Sequence, residues 1–411
     1  MVDNQLLDFC SSYPKIYCYG AGAYGRLAQI FLRENGYDIE GYIVSDGHKT
    51  SGNVLGKQIV SITQIDGTES GIILSVDEKH QKDIEAELHS RGIFNYFKTK
   101  GSFWENLKLK TKFDMHPAIQ PYVNVLMYHR IDNSQYNPWK IITSPENFDE
   151  HMRFLKSHYP ILRFEDDFAN IERPSVVVTF DDGYRDNLFN ALPVLEKYGI
   201  PATVFVSTGI LKKGARFWWD RLGDIFRHLG DSDAINIQSE CFFGKELMRA
   251  HKFLYKMPPQ EKDNALLDAE KKLSIYGQGN NISTRGLSVE ELKKLADSPL
   301  ISIGAHTVTH SSLPYEDVGM QEWEIRESKE ELEQILGRTV DIFSYPLGDY
   351  NSGIIDILRK TSFKKAATIA NGLWHDQSEY EIPRNMVMNS NVHEFEQFMR
   401  CTWVMYNDEI V

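Results

Sequence analysis

Residues 15–19, KIYCY, form a short apolar run of the kind that becomes a buried strand. GAGAYG follows at 20–25, and RLAQIFLRENG then carries apolar residues at helical spacing up to Gly36. IEGYIVSD predicts a second strand, GIILSV at 71–76 another, and QKDIEAELHSRG another helix. The pattern breaks over 108–121, KLKTKFDMHPAIQP, which is expected to be a linker, with a domain boundary near residue 112. Beyond it the alternation resumes. VNVLMYH predicts a strand, FDEHMRFLKSH a helix and SVVVTF a strand; LFNALPVLEKYG predicts a helix closed by glycine and PATVFVS the next strand.

Residues 209–287 interrupt this rhythm. They are polar and helix-prone, with an aromatic start, ARFWWDRL, and are expected to form a helical insertion. LSVEELKKLAD then opens with Ser288 and has Glu291 three residues later, the signature of a capping box. ISIGAH predicts a strand, residues 317–337 a long charged helix, DIFSYP a strand, and ATIA at 367–370 one more. Strands alternating with helices place both parts in the α/β class, with a mainly parallel sheet or barrel in the second.

Composition narrows the partners. A formal net charge of -13 and no basic stripe argue against nucleic acid as the main partner. No run approaches the 18 or so apolar residues of a membrane span. The first residues, MVDNQLLDFCSSYPK, lack a basic segment followed by an apolar one, so a cytoplasmic location is expected. Cys10, Cys18, Cys241 and Cys401 are far apart, with no CxxC pair, and are expected to be reduced, buried thiols.

The chemistry starts at TFDDG, residues 179–183. Adjacent Asp181 and Asp182 follow a strand directly, at the end of a parallel sheet that lines active sites. His306 and His310, in GAHTVTH, follow another strand, and a helical turn would bring residues four apart to one face. One carboxylate and two imidazoles make a three-ligand site with an open position, the pattern of a catalytic zinc. One aspartate would then bind the metal and the other would act as general base. His129, in MYHR after the first strand of this part, is the candidate acid for the leaving group. Each motif alone has a plain alternative, DDG as a turn and HxxxH as a surface pair; their combination after strands of one domain carries the reading.

TFDDG, HTVTH, FSYPLG, the opening LMYHR and the late IPRN together resemble the polysaccharide deacetylases, the NodB-homology domains of carbohydrate esterase family 4. The resemblance spans roughly residues 121–400. It implies a distorted (β/α) barrel over 113–411 and metal-dependent removal of an N-acyl group, usually acetyl, from an amino sugar. It implies Asp181 as base and Asp182, His306 and His310 as ligands of a divalent metal, with Zn2+ first and Co2+ or others suitable. Where the family has Arg-x-Pro-Tyr, this chain has Ser344-Tyr345-Pro346-Leu347-Gly348. The Leu347 N–H, with Tyr345 beside it, is the candidate for binding substrate and oxyanion. Arg384, in IPRN, is the candidate substitute for the missing arginine. The family's late Leu-x-His acid has a spacing match only at Leu373-Trp374-His375, which makes His375 the rival of His129.

In the first part, Gly20, Gly22 and Gly25 fit G-x-G-x-x-G, and Asp46 ends the second strand. This matches the fingerprint of a Rossmann-like domain, over 1–112, that holds a nucleotide or nucleotide-sugar at a helix N-terminus. The expected substrate is therefore an N-acylated amino sugar on a nucleotide or lipid carrier, used in surface-glycan biosynthesis, with peripheral membrane contact only for a lipid carrier. Trp218 and Trp219 are candidate sugar-stacking residues. Two other functions compete: a catalytically inactive carbohydrate-binding module, given the lost arginine, and a nucleotide-sugar oxidoreductase or epimerase driven by the first domain.

Overall fold

The computed structural model describes residues 2–45, 53, 54, 56–65, 69–99, 103, 104, 107, 121–211, 216–275, 284–375 and 378–406. Asp46, the boundary near residue 112 and Cys401's side chain lie outside what is described. The chain divides into two compact units, Met1–Ile119 with His393–Val411, and Gln120–Val392.

The first unit begins with helix α1 (Val2–Ser11), strand β1 (Lys15–Tyr19), helix α2 (Ala23–Glu34) and strand β2 (Gly41–Val44). Strands β3 (Asn53–Val54), β4 (Lys57–Ser61) and β5 (Ser70–Leu74) follow, then α3 (Glu78–Ser90) and β6 (Tyr96–Phe97). The sheet order is β3-β4-β2-β1-β5-β6, parallel except for the β3–β4 pair. One face buries Ile16 and Cys18 against Leu27 and Phe31 of α2; the other buries Ile43 and Ile72 against Ile84 and Leu88 of α3. Gly25 is required by close packing, because a Cβ there would lie 2.1 Å from the Gly20 carbonyl oxygen. Gly20 turns with φ +105°, in the region that favours glycine. Cys10 and Cys18 are buried free thiols, but Cys241, in the second unit, is exposed, against expectation.

The second unit is built on β7 (Val123–Tyr128), with the small pair β8 (Arg130–Ile131) and β9 (Ile142–Thr143) beside it. Helix α4 (Pro145–His158), β10 (Ile161–Leu162), β11 (Ser175–Phe180), α5 (Leu192–Tyr198) and β12 (Ala202–Val206) continue the alternation. The insertion follows: α6 (Trp218–Arg227), β13 (Ala234–Ile237), β14 (Glu240–Phe243), α7 (Leu247–Tyr255) and α8 (Pro259–Lys272). It is not purely helical, because β13 and β14 pair as an antiparallel hairpin in which the residues of AINI alternate exposed and buried. The unit closes with α9 (Val289–Ala296), β15 (Ile301–Ala305), α10 (Val318–Leu336), β16 (Ile342–Ser344), α11 (Ser352–Lys360), β17 (Lys365–Ala367) and β18 (Asn385–Met386); α12 (Val392–Tyr406) ends the described chain. Ser288 and Glu291 form the expected capping box at α9.

The main sheet runs β17-β16-β15-β12-β11-β7-β18, with β10 beside β11, and each of its pairs is parallel. The segment leading into β18 closes it on the other side. Ile382 N donates to Ala366 O and Thr368 N to Ile382 O, while Asn385 and Met386 register with Leu126 and Met127 of β7. The sheet is thus a small distorted barrel. Its interior is filled by Val123, Val125, Val177, Phe205, Ile342 and Ile382. Phe205 needs room, and Gly304 supplies it: a Cβ at Gly304 would sit 2.4 Å from the Phe205 ring. Phe205→Ala is expected to lower stability by about 3–5 kcal/mol, read from urea unfolding; a loss under about 1 kcal/mol would show that this layer collapses onto the space.

Candidate active site

Strand periodicity decides which side chains enter the barrel. Val177 faces inward, so Thr179 and Asp181 do as well. Val123 and Val125 place Met127 and His129 inward; Ile342 places Ser344 inward; Ile382 places Arg384 inward. His129, Asp181 and Ser344 follow or end their strands, so the inward residues meet at the C-terminal end of the sheet.

There Arg384 binds Asp181 with both arms. Nη1 donates to Oδ1 and Nη2 to Oδ2, each at 2.6 Å. The remaining donors are used on Thr368 O (2.8 Å), Thr179 Oγ1 (3.3 Å) and Ser344 Oγ (2.8 Å). Ser344 Oγ in turn donates to Asp181 Oδ2 at 3.4 Å. Arg384 is fully buried and Asp181 nearly so. Burial alone would raise the Asp181 carboxyl, but the guanidinium outweighs it and holds the group below its ordinary value.

Asp182 points elsewhere because its own φ is +77°, followed by Gly183 at +83°. Its Oδ1 lies 3.3 Å from His310 Nε2 and 3.6 Å from His306 Nε2. These three donors lie within 4.8 Å of one another, all buried. Burial raises the Asp182 carboxyl, yet the two imidazoles hold it far below the carboxylate range. Burial pushes the His310 imidazole down, with Asp182 opposing.

The donor set fits a divalent cation. His306 Nδ1 lies 2.7 Å from the Ser344 carbonyl oxygen, which can only accept, so Nδ1 carries the proton and Nε2 keeps its lone pair for a ligand. A lone pair that faces the Asp182 carboxylate oxygen repels it unless a cation lies between them. The histidines do not ride on a helical turn as expected. They sit on a loop whose Thr307 (φ +61°) and His310 (φ +55°) are left-handed. Glu324 of α10 fixes that loop, accepting from Val308 N (2.7 Å), Thr309 N (2.9 Å) and Thr309 Oγ1.

The other expected residues divide. His129 turns toward the same space, and its Nδ1 is buried without a hydrogen-bond partner among the described residues. Leu347 sits at φ +60° on the turn after β16. Tyr345 is a correction: it is out of phase with Ser344, so its fully buried ring packs outside the barrel on Tyr350 and Phe343, and its hydroxyl donates to Tyr380 O. His375 is another. Trp374 pairs with Val123, which begins β7, whereas His129 follows its end. At about 3.3 Å per residue, that sets His375 roughly 15–20 Å from the aspartates. Trp219 lies against His310, but Trp218 turns into the insertion, stacked on His251. In the first unit, Gly20 and Gly22 lie in the turn between β1 and α2, and Gly25 in the first turn of α2.

Sequence reasoning missed Ser344's side chain, Glu324, and a buried polar group beside Asp182. In that group Arg130 pairs with Asp186 (3.0 Å), and Tyr184 donates to Asp220 (2.8 Å). Burial pushes Asp186 and Asp220 each up to about 7, against the pull of Arg130. Asp220 had a visible signal, a carboxylate set directly after the aromatic run FWW.

Comparison with known proteins agrees with the geometry. The polysaccharide deacetylase family profile matches residues 169–366, a span that holds Asp181, Asp182, His306 and His310. Residues 169–366 are a polysaccharide deacetylase domain. The family is one of carbohydrate deacetylases, so the deacetylase domain is a hydrolase. The chain is 24% identical over 268 residues to the Bacillus subtilis protein YxkH, whose name assigns it provisionally to the polysaccharide deacetylases; the match covers 63% of this chain and 69% of that one. It is also similar to two solved structures. One is a Streptococcus pyogenes deacetylase in complex with acetate (19% identity, TM-score 0.46, 68% of this chain and 98% of that chain). The other is a polysaccharide deacetylase from Bacillus cereus (24% identity, TM-score 0.46, 68% and 69%). Among the described residues, no helix is long and apolar enough to cross a membrane.

The Arg384–Asp181 pair predicts a pH effect. A carboxyl held low stabilises the fold above its unfolded value of about 4, and loses that contribution as pH falls through the lowered value. Without the guanidinium, burial dominates and the Asp181 value rises. The acid-unfolding midpoint of Arg384→Ala is therefore expected at higher pH than wild type, with about 3–5 kcal/mol lost at neutral pH. Equal midpoints by circular dichroism would rule out this coupling.

Proposed function

We propose that the protein is a metal-dependent hydrolase that removes an N-acyl group, acetyl in the first instance, from an amino sugar carried on a nucleotide or lipid. The observation that carries this reading is an ionised, doubly clamped Asp181 beside a buried cluster of one carboxylate and two imidazoles. Asp182, His306 and His310 would hold the cation, Zn2+ first and Co2+ next, which when bound supplies a Lewis acid.

The chain's own residues supply the rest. Asp181 accepts the proton of the attacking water, and Arg384 and Ser344 hold its carboxylate in place and ionised. The Leu347 N–H, on its left-handed turn, donates to the developing oxyanion. His129 gives a proton to the departing amine, because its inward position and unpartnered Nδ1 suit that role better than His375 at the far end of the sheet. Bond by bond, water adds to the carbonyl carbon, the C–N bond breaks, and acetate and a free amine leave.

For the carrier, the support lies in the first unit. Gly20 is crowded by Val76 and the Ser75 carbonyl and Gly25 by the Gly20 carbonyl, whereas among the described residues a Cβ at Gly22 would meet nothing within 4 Å, so the turn leaves room for a phosphate at the start of α2. Equilibrium dialysis with UDP-N-acetylglucosamine should show binding that Gly22→Asp weakens at least tenfold. No binding to wild type would move the carrier assignment to a lipid or an oligosaccharide.

Acetate release from free, nucleotide-linked, lipid-linked and oligomeric N-acetyl sugars tests the reaction. Asp181→Asn is expected to lose about 10²–10⁴-fold in rate while keeping its metal content, measured by plasma emission. A metal-loaded wild type that binds sugar without releasing acetate would instead make it a binding module.

A further inference from the structure

The two histidines of the cluster are held by different means. His306 is anchored by the Ser344 carbonyl through Nδ1, the usual way a ligating imidazole is aimed. His310 Nδ1 is buried and makes no hydrogen bond among the described residues. Its ring is set instead by aromatic neighbours from the insertion. Trp219 meets it at 4.6 Å between centroids and 61° between planes, and Phe217 at 5.9 Å and 71°. Phe217 and Trp219 are themselves stacked, 4.3 Å apart at 10°.

Trp219 is in turn aimed by polar contacts. Its Nε1 donates to the Tyr184 hydroxyl at 2.8 Å, and that hydroxyl donates to Asp220 at 2.8 Å. Tyr184 stands two residues after Asp182, so the network joins the strand end that carries the carboxylate to the loop that carries His310. The far end of the insertion grips the same strand end. Leu287 N donates to Gly183 O, Arg185 N to Arg285 O, and Tyr184 bridges to Gly286. The insertion is therefore built around the donor cluster at both of its ends.

We propose that Trp219 is a positioning residue for His310, aimed by Tyr184 and Asp220, and does for that imidazole what the Ser344 carbonyl does for His306. This rests on the reading of Asp182, His306 and His310 as metal ligands. It gives the insertion a role in metal affinity, separate from any contact with sugar.

The test uses the full chain, stripped with chelator and titrated with zinc against a chromophoric competitor, and with cobalt for its visible absorption. Trp219→Leu, which removes both the ring contact and the Nε1 donor, is expected to weaken zinc binding about 10–100-fold and to shift the cobalt bands. Trp219→Phe keeps a ring and should recover part of that affinity. Thermal unfolding of the metal-free proteins checks that the fold is intact. If Trp219→Leu does not fold, Tyr184→Phe, which keeps the ring and removes the hydroxyl, is read in its place, with a loss of several-fold expected. Zinc affinity within threefold of wild type together with an unchanged cobalt spectrum would overturn the proposal, even if turnover fell. His310→Ala separates the underlying reading: if it too binds zinc as wild type does, the ligand assignment fails, not the positioning role alone.

Discussion

Two buried carboxylates on consecutive residues repel, and the active end of this barrel is organised around keeping them apart. The left-handed turn at Asp182 sends the two side chains in different directions. Asp181 meets a permanent cation, the Arg384 guanidinium, in a two-armed contact. Asp182 meets two imidazoles and the space among them. Neither partner could serve both. A guanidinium cannot lose its proton, so it keeps its carboxylate ionised, while neutral imidazoles can share theirs with a metal.

The surrounding structure is arranged to support this separation. Left-handed residues cluster at the strand ends of the site: Asp182, Gly183, Thr307, His310 and Leu347. Such conformations cost about 1–3 kcal/mol each for non-glycine residues and persist only where neighbours over-determine them. Here Glu324 binds two main-chain donors and a hydroxyl of the histidine loop, and the insertion binds the main chain after Asp182. Ser344 links the two halves of the site. Its side chain touches Arg384 and Asp181, and its carbonyl orients His306.

Arg384 shows how a cation far along the sequence reaches a carboxylate at a strand end. The resemblance leads one to expect an arginine where this chain has Ser344, the last residue of β16. Because the sheet closes through residues 382–386, an arginine on that segment reaches Asp181 from the other side of the barrel. A serine is small enough to leave it room. The Arg384–Asp181 contact therefore depends on barrel closure, which is a property of the whole sheet.

By itself, the sequence determined the order of strands and helices, the cap at Ser288, and the motifs TFDDG and HTVTH at strand ends, because each is written in local periodicity and spacing. Inward phase was legible wherever a strand was, since alternate residues share a face. The hairpin in the insertion, the loop geometry of His306 and His310, and the exposed Cys241 were not, because they depend on what packs against those segments. Leu373-Trp374-His375 has the spacing of a catalytic motif, yet its pairing with Val123 puts it at the wrong end of the sheet; Tyr345 stands in a functional motif, yet faces outward by one step of the pleat. Glu324, Tyr184 and Asp220 act through burial, and burial of a charged side chain is set by tertiary neighbours. The sequence named the residue types the chemistry needs; only the closed sheet and the insertion decided which of them share one buried space.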